Sequence, residues 1–217
     1  MCDFSFKERQ FKMNYMKIIN HGHACFQIIG DDINVVFDPY QQDSVPNLNL
    51  NIITTNQLFI SHNHHDHNAY EKVNIVPGKK VEGIAIECYH DKNKGLDRGL
   101  NKIHIINVDG FKIAHFGDVG HVDLDYEKLQ DIDIVLIPIN GFYTVGAIEA
   151  LQIFKNLNAK VLIPMHYFNK KYQTGYEDGN QIDILIGSSK DIKFINGYEY
   201  EFYKDDKGIY IFERTKQ

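Results

Sequence analysis

Residues 61–67 read Ser-His-Asn-His-His-Asp-His, directly after a short apolar run that predicts a β-strand. Because side chains two residues apart point the same way in an extended segment, His62 and His64 can reach one metal ion together. Asp66 and His67 follow where the chain turns, and they can approach a second ion. Neutral imidazole and carboxylate are suitable ligands for Zn²⁺ and similar ions. A solvated, His-rich turn is the alternative, but four histidines and an aspartate directly after an apolar strand favour a metal site.

Three further loops place a ligand-type side chain just after a predicted strand. His90 follows one strand, Asp118 follows a second, and His166 follows a third. Binding sites in sheet proteins collect at the C-terminal ends of strands. Each residue alone is a weak signal, since a lone histidine after a strand is more often an ordinary surface or hydrogen-bonded residue. Together with residues 61–67, and in this order, they predict a complete set of metal ligands.

The chain is dense in short β signals, and its second half alternates helix with strand. Apolar alternation and β-branched residues predict strands at 17–20, 25–29, 33–37, 58–61, 84–89, 102–108, 111–116, 134–137, 160–164, 193–195, 198–203 and 208–212. Apolar residues at helical spacing predict helices at 124–130, 145–157 and 181–187. This order indicates an α/β protein, a four-layer αββα sandwich of two mixed β-sheets flanked by helices.

Length and composition are typical of one globular domain. The chain has 217 residues, and we assign residues 16–217 to a single domain with residues 1–15 as an N-terminal extension. Its formal net charge of −6 disfavours a non-specific nucleic-acid binder, which needs a basic surface. The three cysteines form no CxxC pair, and no apolar run reaches the length of a membrane span. We therefore expect a cytoplasmic protein with reduced thiols and no membrane partner.

The motifs resemble those of the metallo-β-lactamase-fold superfamily, and within it the branch of metal-dependent hydrolases similar to ascorbate-6-phosphate lactonase. The resemblance covers about residues 16–170 and rests on GHACFQI (22–28), Asp38-Pro39, SHNHHDH (61–67), CYHD (88–91), GFKIAHFGDVGH (110–121), DIVLIPINGFYT (133–144) and VLIPMHY (161–167). It implies the metallo-β-lactamase fold and two metal ions. The implied ligands are His62, His64 and His90 for one ion, and Asp66, His67 and His166 for the other, with Asp118 bridging both.

A pair of such ions supports hydrolysis without a serine or cysteine nucleophile. Two cations roughly 3.5–4 Å apart can share a water, lower its pKa towards about 7 and present a metal-bridging hydroxide. Asp66 can accept or relay the proton of that water, which makes Asp66 and Asp118 the candidate catalytic residues. We predict a dinuclear hydrolase that cleaves a lactone, another ester or a phosphodiester. Zinc is the expected metal because the ligands are rich in histidine, although Mn²⁺ or Fe²⁺ also fits.

Three residues around the ligands are candidates for binding a substrate. His121 lies three positions past the proposed bridging aspartate, and Tyr143 ends a predicted strand where it can border the pocket. Arg98 lies with two lysines in the loop after the proposed ligand at position 90. In a protein with a net charge of −6, these cations can attract an anionic or phosphorylated substrate. An ordinary solvated loop is the plainer interpretation of the same segment.

Two other classes of function stay open. A non-catalytic metal-binding scaffold or ligand sensor would keep the ligands and show no turnover. A di-iron oxidoreductase fits less well, because the second histidine of the motif is typically a glutamate in those superfamily members, whereas here it is His64. Superfamily members that process RNA usually carry an added RNA-binding arm. The short interval from His67 to His90 leaves no room for such an arm there, so we expect a small-molecule substrate. The stretch after Asn169 carries no motif and is a candidate interface for a homo-oligomer.

Overall fold

The computed structural model describes residues 15–179 and 181–216, which form fourteen β-strands and two α-helices. The strands are β1 Tyr15–Gly22, β2 Cys25–Ile29, β3 Asn34–Phe37, β4 Ile53–Thr55, β5 Gln57–Phe59, β6 Val73–Ile75, β7 Gly83–Tyr89, β8 Leu100–Val108, β9 Phe111–His115, β10 Ile134–Pro138, β11 Val161–Met165, β12 Ile192–Ile195, β13 Glu199–Tyr203 and β14 Gly208–Phe212. The helices are α1 Ala147–Leu157 and α2 Ile182–Ser188, and single 3-10 turns lie at Tyr70–Lys72 and Glu177–Gly179. Of the proposed N-terminal extension, residues 1–14 lie outside the described residues, and Tyr15 already begins β1.

The strands form two large mixed sheets. The five-stranded sheet has the order β13-β1-β2-β3-β5 and is antiparallel except for the pair β3 and β5. The seven-stranded sheet has the order β12-β14-β11-β10-β9-β8-β7, parallel from β12 to β9 and antiparallel from there to β7. The short strands β4 and β6 make a separate parallel pair. The predicted α/β sandwich of two mixed sheets is confirmed.

Both faces of the seven-stranded sheet are buried, and the central strand β10 shows why its sequence is a continuous apolar run. Ile134 and Leu136 face the five-stranded sheet and pack among residues of both sheets. Val135 and Ile137 point the other way and pack with residues of α1. Because successive side chains alternate between faces, a strand covered on both sides needs an apolar residue at every position.

Different elements cover the outer faces of the two sheets. Helix α1 places buried residues at helical spacing against the seven-stranded sheet, namely Ala147, Ala150, Ile153 and Leu157. Over the five-stranded sheet, the long connection between β3 and β4 packs Tyr40, Val45, Leu48 and Leu50 against Cys25 and Val36. Among the described residues, the layer outside the five-stranded sheet is therefore a packed loop, and both α-helices belong to the other side.

The helix predicted at 124–130 is wrong, because this segment forms turns. Val122, Leu124 and Tyr126 pack against the core at every second position, which is the spacing of an extended chain and does not fit a helix. Its turns are closed by short-range bonds, such as the one from the Lys128 N–H to the Asp125 carbonyl (3.2 Å). Neither helix within the described residues is long and apolar enough to cross a membrane.

Candidate metal centre

The topology brings the predicted ligands to one edge of the sandwich. Strands β7, β9 and β11 run in the same direction, so the residues that follow them, His90, Asp118 and His166, meet at one end of the seven-stranded sheet. Residues 61–67 reach the same place from β5 of the other sheet. The Lys102 N–H joins the two sheets here by donating to the Ser61 carbonyl (3.0 Å).

Asp118 lies at the centre of this cluster. Its Oδ2 atom is 3.2 Å from the Nε2 atoms of His67, His90 and His166. The Nε2 atom of His62 lies 4.0 Å from the same oxygen. One carboxylate oxygen therefore faces four imidazole nitrogens from three segments, as expected of a bridging ligand.

The ligand-type atoms divide into two sets around this carboxylate. The atoms of each set lie within 4.8 Å of one another, and the sets are His62, His64 and His90, and His23, Asp66, His67 and His166. A third set, His62, His67 and Asp118, links the two. The structure thus brings all seven predicted ligands together, and it adds His23 to the second group.

Many polar atoms of the cluster are buried and have no hydrogen-bond partner among the described residues. They are His62 Nε2, His64 Nδ1, His67 Nε2, His90 Nδ1 and Nε2, Asp118 Oδ1 and His166 Nδ1. Leaving a buried polar atom unpaired costs about 1–3 kcal/mol, so such a concentration is expected only where something else satisfies these atoms. Nitrogen and carboxylate donors converging in this way fit divalent transition-metal ions, zinc among them.

A hydrogen-bond chain behind the ligands fixes the orientation of two imidazole rings. The Ser61 hydroxyl donates to Asp38 (2.5 Å), and it therefore accepts a hydrogen bond from Nδ1 of His62 (2.9 Å). Nδ1 of His67 donates to the same Asp38 carboxylate (3.0 Å). Both rings then direct their Nε2 atoms towards the cluster, which is how outer carboxylates orient metal-ligating histidines.

The charges in the cluster shift the pKa values in opposite directions. Burial lowers the pKa of His62 to about 2, so this imidazole is neutral and able to bind a metal ion at pH 7. Burial also acts to lower the pKa of His67, but the carboxylates of Asp118 and Asp66 hold it well above its ordinary value. Burial would raise the pKa of Asp38, yet the hydrogen bond from His67 lowers it to about 2. Each carboxylate near His67 is thus ionised.

His23 is the residue whose part in the site sequence reasoning missed. It is absent from the ligand set that the resemblance implies, whereas its Nε2 atom lies 3.2 Å from Oδ2 of Asp66. Its ring centroid is 3.7 Å from that of His166, and the His166 N–H donates to the His23 carbonyl (3.1 Å). Both histidines adopt left-handed backbone conformations, with φ of 56° and 55°. Strained conformations of this kind in non-glycine residues concentrate at functional sites.

Two glycines let the ligand loops approach each other closely. A Cβ atom on Gly117, whose φ is 51°, would lie 2.3 Å from Oδ1 of Asn101, the atom that accepts the Asp118 N–H (2.9 Å). A Cβ atom on Gly120 would lie 2.4 Å from the Asp91 Cα atom. The loop carrying Asp118 therefore rests directly on the backbone of the loop that carries His90.

A cavity of about 560 Å³ opens onto the cluster. The predicted ligands that border it are His64, Asp66, His90, Asp118 and His166. Its remaining wall includes Asn140, Tyr176 and the aromatic pair Phe142 and Tyr143. This volume falls within the roughly 300–1,000 Å³ typical of small-molecule sites.

Of the three substrate-binding candidates, the structure brings two to the cavity. Arg98 and Tyr143 both border it, with the guanidinium carbon 4.4 Å from the centre of the Tyr143 ring. His121 lies outside it, and its Nε2 atom accepts the Tyr89 N–H (3.2 Å). His121 instead borders a separate surface depression.

The position of Arg98 is set by a single buried carboxylate. Asp91 accepts the backbone N–H groups of Asn93 (2.8 Å), Gly95 (3.0 Å), Asp97 (3.2 Å) and Arg98 (2.8 Å). Burial would raise the pKa of Asp91, but these four N–H groups lower it, so the carboxylate stays ionised. The loop from residue 91 to residue 98 is thus closed around one side chain, next to the proposed ligand His90.

Comparison with known proteins gives matches over most of the chain. A family model described as the β-lactamase superfamily domain matches residues 17–166. A UPF0173 metal-dependent hydrolase of Natranaerobius thermophilus is 27% identical over 185 residues, covering 70% of this chain and 83% of its own. The one from Thermoplasma volcanium is 29% identical over 189 residues, with the same coverage of 70% and 83%.

Solved structures show the same fold. A Thermotoga maritima protein, described as a Zn-dependent hydrolase of the metallo-β-lactamase superfamily, superposes with a TM-score of 0.69 and 26% identity, covering 91% of this chain and 98% of its own. The metallo hydrolase Igni18 of Ignicoccus hospitalis superposes with a TM-score of 0.58 and 18% identity, covering 80% and 91%. The second likeness concerns the fold alone.

Proposed function

The chain belongs to the metallo-β-lactamase superfamily, and from that premise we propose that it is a dinuclear metal-dependent hydrolase acting on a small molecule. The bond it cleaves is a lactone, another ester or a phosphodiester. The observation that carries the proposal is the convergence on Asp118, whose Oδ2 atom lies 3.2 Å from three histidines on three separate loops. The metal-dependent hydrolases similar to this chain are consistent with it.

Two ions would be held by the two sets of ligands that share Asp118. The proposed ligands are His62, His64 and His90 for one ion and Asp66, His67 and His166 for the other. When bound, such a pair supplies Lewis acidity and a water acidic enough to act as a nucleophile at neutral pH. Zinc is the proposed metal because the donors are mainly imidazole nitrogens.

The chain's own residues orient the ligands and hold the proton. Asp38 fixes the ring of His67, and Ser61 fixes that of His62. Burial would raise the pKa of Asp66, but neighbouring His67 and the hydrogen bond from His23 keep it below its ordinary value, so this carboxylate is ionised. An ionised Asp66 can take up a proton at an oxygen that lies 3.2 Å from Nε2 of His23.

The test combines metal content with turnover in the wild type and in Asp118→Asn, which keeps the size of the side chain and removes its charge. We expect about two zinc ions per wild-type chain after reconstitution, fewer in the variant, and hydrolysis of at least one member of a panel of lactones and phosphodiesters. Asp123→Asn is the matched control, because Asp123 is exposed and borders the separate depression. Two bound ions without any turnover would favour a metal-binding scaffold or sensor, and no bound metal would overturn the proposal.

A further inference from the structure

Arg98 is a cation in the cavity wall without an anionic partner. Its Nε atom is buried and has no hydrogen-bond partner, and its guanidinium forms no ion pair with any carboxylate of the described residues. The neighbouring Lys92 differs, because its Nζ atom is exposed and pairs with Glu149 at 2.9 Å. Arg98 therefore keeps its hydrogen-bonding capacity for something that enters the cavity.

The arginine is also held in place before any ligand arrives. Its backbone N–H is bound by Asp91 at 2.8 Å, within the loop closed around that carboxylate. Its guanidinium lies over the ring of Tyr143 at 4.4 Å, a cation–π contact that restricts the plane of the group. A side chain fixed at both ends loses little conformational entropy when it binds, which raises its affinity for a matching ligand.

The chemistry of the group identifies the ligand class. A guanidinium offers a planar set of N–H donors that matches the oxygens of a carboxylate or phosphate, and it binds them in bidentate fashion. The unpartnered Nε–H belongs to that set. Asp66 and Asp118, the proposed metal ligands, border the same cavity as Arg98, so one small molecule can reach both features.

We propose that Arg98, seated on Tyr143, binds a carboxylate or phosphate group that the substrate carries in addition to the bond cleaved at the metal centre. The substrate class is thus a small molecule that carries a carboxylate or phosphate group. This inference rests on the proposed hydrolase function, since the metal centre is taken as the place of bond cleavage.

The test uses the zinc-loaded full chain and three matched γ-lactones: a neutral one, the same lactone with a carboxylate, and the same lactone with a phosphate monoester. We expect the wild type to favour an anionic lactone in kcat/KM by about 10- to 100-fold, the range of a charge-assisted hydrogen bond. Arg98→Met should lose that preference, so that its kcat/KM values for the three lactones become similar. The better of the two anionic lactones then identifies the group that Arg98 binds.

Three further variants separate local binding from general charge and from misfolding. Lys92→Met removes one positive charge from the same loop and should retain the preference. Tyr143→Phe should also retain it, because the ring remains, whereas Tyr143→Ala should weaken it. Two zinc ions per chain in Arg98→Met would show that the variant is folded.

Equal kcat/KM for neutral and anionic lactones in the wild type, or a preference that persists in Arg98→Met, would overturn the inference. If zinc binds and none of the three lactones is cleaved, calorimetric binding of the three corresponding lactams decides the anion site alone, and the proposed function itself fails only if the wider panel of lactones and phosphodiesters is not cleaved either. Tighter binding of an anionic lactam by the wild type than by Arg98→Met would support the site. Equal binding by the two proteins would overturn it.

Discussion

At the scale of single residues, Asp38 supports the proposed metal site by orienting its ligands without being one of them. It is fully buried, accepts hydrogen bonds from both the hydroxyl and the N–H of Ser61, and receives Nδ1 of His67 at 3.0 Å. We expect Asp38→Asn to weaken zinc binding by roughly 10- to 100-fold, because an amide orients the imidazole less well and does not raise its basicity. Competition with a chromophoric chelator measures this. The same affinity in the variant, with Asp43→Asn as an exposed control, would contradict the role.

Zinc binding should also depend on pH in a defined direction. The pKa of His67 lies well above its ordinary value in the metal-free protein, because Asp118 and Asp66 favour the charged ring. His67 must then lose a proton when it binds zinc, so the apparent affinity should rise as the pH rises from 6 to 8. Calorimetry in two buffers of different ionisation enthalpy should show protons released on binding. An affinity that is flat over this range would contradict the release of a proton from His67 on zinc binding.

Single residues also differ in whether their role in the site can be predicted from the sequence. The seven proposed ligands carry side chains that metals prefer and follow predicted strands, so their chemistry and their order were sufficient to predict that they lie together. Asp38 and His23 carry similar side chains, but their roles depend on contacts with residues 29 and 43 positions away along the chain. Those contacts arise only when β1, β2, β3 and β5 pair in the five-stranded sheet and bring the loops at their ends together. No local pattern around either residue signals them.

At the scale of elements, the approach of the two ligand loops makes a prediction about Gly120. An added Cβ atom would lie 2.4 Å from both the Asp91 Cα and the His90 carbonyl oxygen, which are backbone atoms without room to move. We expect Gly120→Ala to lower the free energy of unfolding by roughly 2–4 kcal/mol and to weaken zinc binding. Denaturant unfolding with zinc content measured in parallel checks both.

Gly187→Ala provides the matched control for that substitution. Gly187 lies in α2, and a Cβ atom there would meet nothing within 4 Å. Alanine should therefore raise the stability by about 0.4–1 kcal/mol through its higher helix propensity. If both variants were equally stable, the close approach of the ligand loops would not be a constraint.

Helices and strands are predicted correctly where burial imposes a clear spacing of apolar residues along the chain. The apolar runs of β10 and β11 and the helical spacing of α1 are read correctly. In the short segment 124–130, where a helix was wrongly predicted, the apolar residues fit the spacing of a helix as well as that of a strand. A helix of so few residues is also costly to nucleate. The strands β4 and β6, three residues each, were missed because such short segments pair only once the surrounding loop is folded.

At the scale of the whole molecule, the proposed ions would tie the two sheets together. His62, His64 and His67 come from the loop after β5 of one sheet, and His90 and His166 come from strands of the other. We expect removal of zinc by a chelator to destabilise the protein, and stability to rise with free zinc by about 4 kcal/mol per site at 1,000 times Kd. Thermal unfolding at several zinc concentrations tests this. An unfolding temperature independent of zinc would contradict it.

The overall architecture was predictable because two kinds of signal agree. Short strands interspersed with helices indicate two sheets, and ligand-type residues after successive strands indicate that those strands share an edge. The loop that covers the five-stranded sheet was not predictable, since Tyr40, Val45 and Leu48 show neither strand nor helix spacing. Their burial is decided by the chain's long path between β3 and β4.

The closed loop around Asp91 allows the substrate preference of the protein to evolve separately from its metal centre. Its four hydrogen bonds to Asp91 are donated by main-chain N–H groups, so the side chain at position 98 can change while the loop keeps its shape. His90 directly precedes this loop, and its position is set by the end of strand β7. A substitution at position 98 can therefore change the class of molecule that the protein binds and leave the proposed metal ligands in place.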